Sequence, residues 1–93
     1  MQIIVQTFLA QGEKSGSHVR VRPLPNQSFN TDMRVECSRK MRIAFPVGQL
    51  FCLNVKVVRR LNSPDFLYSN YRDRWKLVTK IEAEEFIKKN FSL

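Results

Sequence analysis

Hydrophobic and polar residues alternate along most of the first two thirds of the chain, which is the pattern of half-buried β-strands. Residues 2–10 differ from this pattern, because Ile3, Ile4 and Val5 follow one another without a polar neighbour. Such a run of β-branched residues predicts a first strand that is buried on much of both faces. The glycine-bracketed stretch at residues 11–17 predicts a loop after it.

The HVRVR segment alternates strictly and predicts a second strand with a basic outer face. Its valines, Val19 and Val21, point inward in this interpretation. Its outward residues are His18, Arg20 and Arg22.

A proline- and asparagine-rich stretch, residues 23–32, predicts an irregular loop of a length that is often functional. Alternation then resumes at residues 33–37, with Met33, Val35 and Cys37 facing inward. A third strand is expected there.

Residues 38–45 fit either a strand or one face of a helix. We favour a short helix, because two strands would need a turn within residues 38–40, where no glycine, proline or asparagine is present. Ser38 is a good N-cap for that helix. Pro46 disfavours helical backbone at the residue before it, so the helix is expected to stop at Phe45.

Residues 50–61 predict one long strand that is central in the sheet. Two shorter strands are predicted at residues 66–69 and 75–78, and Trp75 at the start of the last one is expected in the core. The predicted inward face of the long strand consists of Phe51, Leu53, Val55 and Val57.

The last segment changes to a helical period. Thr79 followed by Glu82 matches a capping box, in which each side chain accepts a hydrogen bond from the backbone of the other. The apolar stripe of the predicted helix consists of Ala83, Phe86, Ile87 and Phe91.

These elements predict an α+β fold that is mainly β. Its sheet is expected to be an antiparallel, twisted sheet or a partly open barrel of five to six strands, with a short middle helix and a C-terminal helix packed on it. The length of 93 residues suits a single domain over residues 1–93 with one hydrophobic core.

Sixteen lysines and arginines against eight acidic residues give a net charge of +8. Such an excess favours nucleic acid or an acidic protein as the partner, and a homo-oligomer stays open. A membrane partner is not expected, because the apolar runs are far shorter than a spanning helix needs. The N-terminus lacks the positive start of a signal peptide, which predicts a cytoplasmic protein.

No zinc-binding or nucleotide-binding motif occurs, so we expect neither a metal nor a cofactor. Cys37 and Cys52 lie in apolar surroundings and are predicted to be free thiols.

Basic residues at outward strand positions form the candidate site, within a wider basic set that includes Arg34 and Arg42. The YRDRW segment combines aromatic rings that can stack on bases with arginines that can contact phosphates. Tyr68, just before it, is a weaker candidate for stacking. The residues predicted to bind nucleic acid or another polyanion are Arg20, Arg22, Arg39, Lys40, Lys56, Arg60, Tyr71, Arg72 and Arg74.

Three function classes follow from this chemistry. The first is a non-enzymatic module that binds the nucleic-acid backbone. The second is a protein-interaction or oligomeric module that meets an acidic partner. The third is a phosphodiester-cleaving ribonuclease that uses His18 with Glu13 or Glu36, and it is the least favoured because a single histidine leaves the acid–base pair incomplete.

Overall fold

The computed structural model describes residues 1–10 and 19–91. Gly12, Gly16 and His18, with the loop predicted around them, lie outside the described residues. In chain order the elements are β1 (Gln2–Leu9), β2 (Val19–Pro23), β3 (Val35–Glu36), α1 (Arg39–Ile43), β4 (Leu50–Asn54), β5 (Lys56–Arg60), β6 (Ser63–Tyr68), β7 (Lys76–Val78) and α2 (Lys80–Phe91).

The first sheet has four antiparallel strands in the order β2-β1-β4-β7. β1 is central, and both of its faces are buried: Ile3 and Val5 point to one side and Ile4 to the other, all fully inaccessible to solvent. The prediction that this β-branched run forms a strand buried on both faces is therefore confirmed.

The second sheet has three strands in the order β3-β6-β5. β5 and β6 form an antiparallel hairpin whose turn includes Asn62 at a φ of 63°, a left-handed conformation that asparagine tolerates. β3 runs parallel to β6, where Leu67 N donates to Arg34 O and Ser69 N donates to Glu36 O. One hydrophobic core joins the two sheets and α1, with Ile3, Val5, Phe51, Leu53, Val35, Leu67 and Met41 among its members.

The predicted long strand at residues 50–61 is two strands. β4 pairs with β1 in the first sheet and β5 pairs with β6 in the second, with Val55 between them. Val55 is buried, and its N–H donates to Met1 O at 2.7 Å, which extends the pairing of β1 with β4 by one residue. The alternation in the sequence gives no sign of this change of sheet. The predicted inward position of Val57 is wrong, because Val57 is 40% exposed and Val58 is the half-buried residue of β5. The described residues therefore hold seven strands rather than five to six.

Both predicted helices are present. Ser38 caps α1 by accepting a hydrogen bond from Met41 N at 3.4 Å. At α2, Thr79 N donates to Glu82 Oε1 at 3.0 Å and Glu82 N donates to Thr79 Oγ1 at 3.1 Å, which completes the capping box. These hydrogen bonds, with the backbone of Thr79 first, lower the pKa of the Glu82 carboxyl.

The predicted fold class is confirmed, with two open sheets in place of a barrel. α2 packs on β1, β4 and β7, and Ala83 is its fully buried residue, while Phe86, Ile87 and Phe91 are half-buried. Neither helix in the described part of the chain has the length and apolar character to cross a lipid bilayer.

The loop after β2 is held by one buried amide. Gln27 is fully buried; its Oε1 accepts from Ile4 N and its Nε2 donates to Ile4 O, both at 2.7 Å. The side chain thus continues the β1 ladder where β2 ends at Pro23 and gives the buried Ile4 N its partner. Ile4 O also accepts from Leu24 N at 3.1 Å.

Candidate nucleic-acid interface

A groove of about 830 Å³ lies between the two sheets. One wall is β2, an outer strand of the first sheet, and the other is the segment leading into β3, an outer strand of the second. β2 and β3 lie close to each other. The groove is therefore a product of tertiary packing between outer strands of two different sheets.

Positive charge predominates in this groove. Among the residues that the structure describes, four arginines and two acidic residues contribute to its walls, and one of the acids, Glu36, already accepts a hydrogen bond from Arg34. The charged lining residues are Arg20, Arg22, Arg34, Arg42, Asp32 and Glu36. We call this set, with the neighbouring aromatic residues, the arginine groove.

The β1–β2 register sets the direction of the two β2 arginines. Phe8 lies opposite Arg20 and Gln6 opposite Arg22, so both arginines lie on the face opposite buried Val21. The Arg22 guanidinium stands over the Phe8 ring, 4.8 Å from its centroid. This cation–π contact holds the side chain along the groove wall.

Arg42 reaches the groove from α1. Its NH1 donates to Val19 O at 3.1 Å, which fixes the guanidinium against the start of β2. Arg42 Nε is buried and has no hydrogen-bond partner within residues 1–10 and 19–91. A buried donor without a partner is unusual in proteins.

Cys37 also lines the groove. Burial raises the pKa of its thiol to about 11, while the nearby positive charge of Arg42 acts in the opposite direction. Burial likewise raises the pKa of Cys52, which lies on β4. Both cysteines are free.

Two tyrosines form part of the groove wall, Tyr68 at the end of β6 and Tyr71 in the turn after it. Tyr71 is 67% exposed. The Arg72 guanidinium lies 5.4 Å from the centre of the Tyr71 ring, and Arg72 Nε donates to Tyr71 Oη at 2.9 Å.

The predicted strand cations separate into two places. Arg20 and Arg22 line the arginine groove, whereas Lys56 and Arg60 lie on β5, which belongs to the other sheet. The Lys56 ammonium stands 5.6 Å from the centre of the Tyr68 ring, and Arg60 lines a second groove of about 660 Å³. Arg34 lines both grooves, so it is the one arginine that connects them.

The remaining predicted residues lie outside the groove lining. Arg39 and Lys40 are exposed on α1, and Arg74 is exposed before β7. Arg72 reaches the groove only through its contacts with Tyr71. Trp75, expected in the core, is 40% exposed and packs edge-on against Phe51 with ring centres 5.5 Å apart.

Four of the cationic and aromatic lining residues were not among the nine predicted site residues: Phe8, Arg34, Arg42 and Tyr68. Arg34 had a usable signal, because alternation places it outward. Arg42 belonged to the wider basic set, but its place in the groove depends on how α1 packs beside β2. For the hydrolase hypothesis, Glu36 is engaged by Arg34, while His18 and Glu13 lie outside the described residues.

Residues 1–10 and 19–91 hold no cluster of three or more potential metal ligands. No protein-family model, no curated protein and no solved structure matches this chain.

Proposed function

We propose that this protein is a non-enzymatic module that binds nucleic acid by contacting backbone phosphates in the arginine groove. The observation that carries the proposal is the convergence of four arginines from β2, the segment before β3 and α1 on one groove with two acidic residues. Guanidinium groups suit this role, because their planar array of donors matches the oxygens of a phosphate.

Phosphate contacts predict a particular kind of recognition. They position the nucleic acid without reading its sequence, so affinity is expected to depend weakly on base composition and strongly on salt. The surplus charge of the whole chain adds a long-range attraction that speeds association. A cytoplasmic location belongs to the same proposal and agrees with two free cysteines.

A binding titration at two salt concentrations tests this function. Fluorescently labelled DNA and RNA are titrated with wild-type protein at about 50 and 200 mM salt, where contacts to several phosphates change the affinity by orders of magnitude. The double variant Arg20→Gln/Arg22→Gln is expected to bind more weakly, and its salt slope is expected to fall by about 0.7 to 0.9 for each charge removed.

The matched control is Lys88→Gln/Lys89→Gln. It removes the same charge from exposed positions at the end of α2, away from the arginine groove. A smaller loss of affinity for the control than for the arginine pair would support binding in the arginine groove. Equal losses of affinity would show that only the net charge matters. Absence of binding by wild type at low salt would overturn the proposal.

The second candidate is an oligomeric protein-interaction module. It is favoured by the apolar surface beside β7, an outer strand of the first sheet, where Trp75 and Leu77 are 40% and 41% exposed next to Phe45. In this candidate a second copy of the chain covers that surface. Sedimentation equilibrium distinguishes the cases, because a dimer that Leu77→Lys converts to a monomer would support this candidate and a wild-type monomer would reject it.

A further inference from the structure

The exposed Tyr71 ring raises a question that phosphate contacts alone do not answer. The ring lies at the groove with 67% of its surface exposed, although tyrosine usually buries much of its apolar body. Core packing therefore does not account for its position. An aromatic ring beside a cationic groove is the arrangement that stacks unpaired bases.

The turn that carries Tyr71 is held by hydrogen bonds. Asn70 Oδ1 accepts from Arg72 N at 3.0 Å, and Asp73 N donates to Asn70 O at 2.9 Å. Just before the turn, Ser69 is buried and its N–H donates to Glu36 O at 2.8 Å, which ties the segment to β3. The ring is thus positioned before any ligand arrives, which lowers the entropic cost of stacking.

Two of the four arginines of the groove are recessed, whereas Arg22 and Arg34 are exposed. Arg20 and Arg42 are half-buried, and NH1 of Arg42 is held by Val19 O at the start of β2. A flexible single strand can bend its backbone into such a groove. A duplex keeps its phosphates on a stiff outer surface and contacts protruding cations more easily.

We propose that the arginine groove binds single-stranded nucleic acid, with an unpaired base stacked on Tyr71 and the adjoining phosphates held by Arg20, Arg22 and Arg42. This inference rests on the proposed function and deepens it by naming the class of nucleic acid. The Arg72 guanidinium covers part of the Tyr71 ring, and the exposed remainder accepts the base. The contact is tolerant of sequence, because every base has a face that can stack.

The test compares single strands with a duplex of equal length. Oligothymidine and oligouridine of about 12 nucleotides, within the usual site size of a small fold, distinguish DNA from RNA, and a mixed-sequence duplex provides the double-stranded arm. Wild type, Tyr71→Ala and Tyr71→Phe are titrated with each at low salt. Tyr71→Phe is the matched control, because it keeps the ring and loses the hydroxyl that accepts from Arg72.

Wild type is expected to bind at least one of the single strands more tightly than the duplex. Tyr71→Ala is expected to weaken that single-strand binding by roughly 5- to 150-fold, the range for one stacked base, and to leave duplex binding within about twofold. Tyr71→Phe is expected to stay close to wild type. Thermal unfolding of Tyr71→Ala is expected to be unchanged, because the ring is exposed.

Failure of this inference differs from failure of the proposed function. If wild type binds duplex and single strands equally and Tyr71→Ala changes neither, the groove still binds phosphates and the single-strand inference is wrong. If wild type binds no nucleic acid at low salt, both are wrong. An equal loss in Tyr71→Ala and Tyr71→Phe would show that the Arg72 contact acts instead of stacking, and it would overturn the assigned role of the ring.

Discussion

β2 and β5 are similar in sequence, VRVRP and KVVRR, and both are outer strands of their sheets. Their surroundings differ. The outer edge of β2 meets β3 of the other sheet, and Val21 at its centre is 3% exposed. β5 has no strand beyond it among the residues that the structure describes, and Val57 is 40% exposed. Similar local patterns thus become a groove wall in one place and an open edge in the other.

The cations of the two strands also have different partners. Arg22 on β2 lies over a ring of its own sheet and faces the arginine groove. On β5, Arg60 stands over the Phe66 ring, and Arg59 Nε lies 3.6 Å from Asp65 Oδ2 at an exposed position. The β5 cations are therefore spread along an exposed edge, where ion pairs contribute little to stability, and Arg60 also lines the second groove beside Asp32 and Asp65. A cation in a groove with few acids is better placed to contact a phosphate.

The largest expected effect concerns nucleic-acid affinity. Arg20→Gln/Arg22→Gln is expected to lower affinity by roughly 100-fold, about tenfold for each charge-assisted contact. Lys56→Gln/Arg60→Gln removes the same charge from β5 and is expected to lower it only several-fold, through the long-range field. Titration under identical low-salt conditions measures both. Equal losses would mean that β2 and β5 form one binding surface, as the outward positions of all four residues predict.

Cys37 reports on the arginine groove through its thiol. Because burial raises its pKa to about 11 from an ordinary value of 9.0, alkylation of folded protein at about pH 8 is expected to be close to 100-fold slower than for a free thiol. Bound oligonucleotide is expected to slow alkylation of Cys37 further and to leave Cys52 unaffected. Mass spectrometry of each cysteine-containing peptide measures this, and equal protection of both would place the ligand elsewhere.

The same pKa gives a stability prediction with a definite sign. A thiol whose pKa is raised on folding contributes stability that is complete below about pH 9 and is lost as the pH rises towards 11. The stability difference between wild type and Cys37→Ala is therefore expected to change in favour of Cys37→Ala between about pH 8 and pH 10.5. A pH-independent difference, measured by urea denaturation, would contradict it.

One substitution at a valine that was predicted to face inward on each strand compares the packing of β2 and β5. Val21→Ala is expected to cost about 2 kcal/mol of unfolding free energy, because two buried methyl groups are lost. Val57→Ala is expected to cost about 0.5 kcal/mol or less, since the side chain is already partly hydrated. Chemical denaturation of both variants measures the two losses of unfolding free energy. Similar losses would show that the β5 edge is covered in solution.

The smallest expected effect comes from removing one acid near each strand. Glu36→Gln releases Arg34 in the arginine groove and is expected to raise nucleic-acid affinity by about 3- to 10-fold. Asp65→Asn beside Arg59 is expected to raise it by less than about twofold, because exposed charges are screened by salt. Isothermal titration at low salt resolves the two, and a decrease for Glu36→Gln would mean that the carboxylate positions Arg34 for binding.

Local patterns were sufficient for the fold class and for most elements. Ser38 and the pair Thr79 and Glu82 marked both helix starts, because capping uses hydrogen bonds between neighbours in sequence. The β-branched run at Ile3–Val5 likewise identified the strand that is buried on both faces. These signals work because the groups that interact are close together in the sequence.

Tertiary structure decided the change of sheet at Val55, since a period of two continues across it. It also decided which cations share a site. Alternation places Arg20, Arg22, Lys56 and Arg60 outward, but only strand order determines that the first two meet Arg34 and Arg42 across a groove. The sequence by itself determined the elements and the charge, because these depend on neighbours along the chain. The arginine groove depends on how β2, β3 and α1 pack together, although these consecutive elements share no common sheet, so only the packed fold could reveal it.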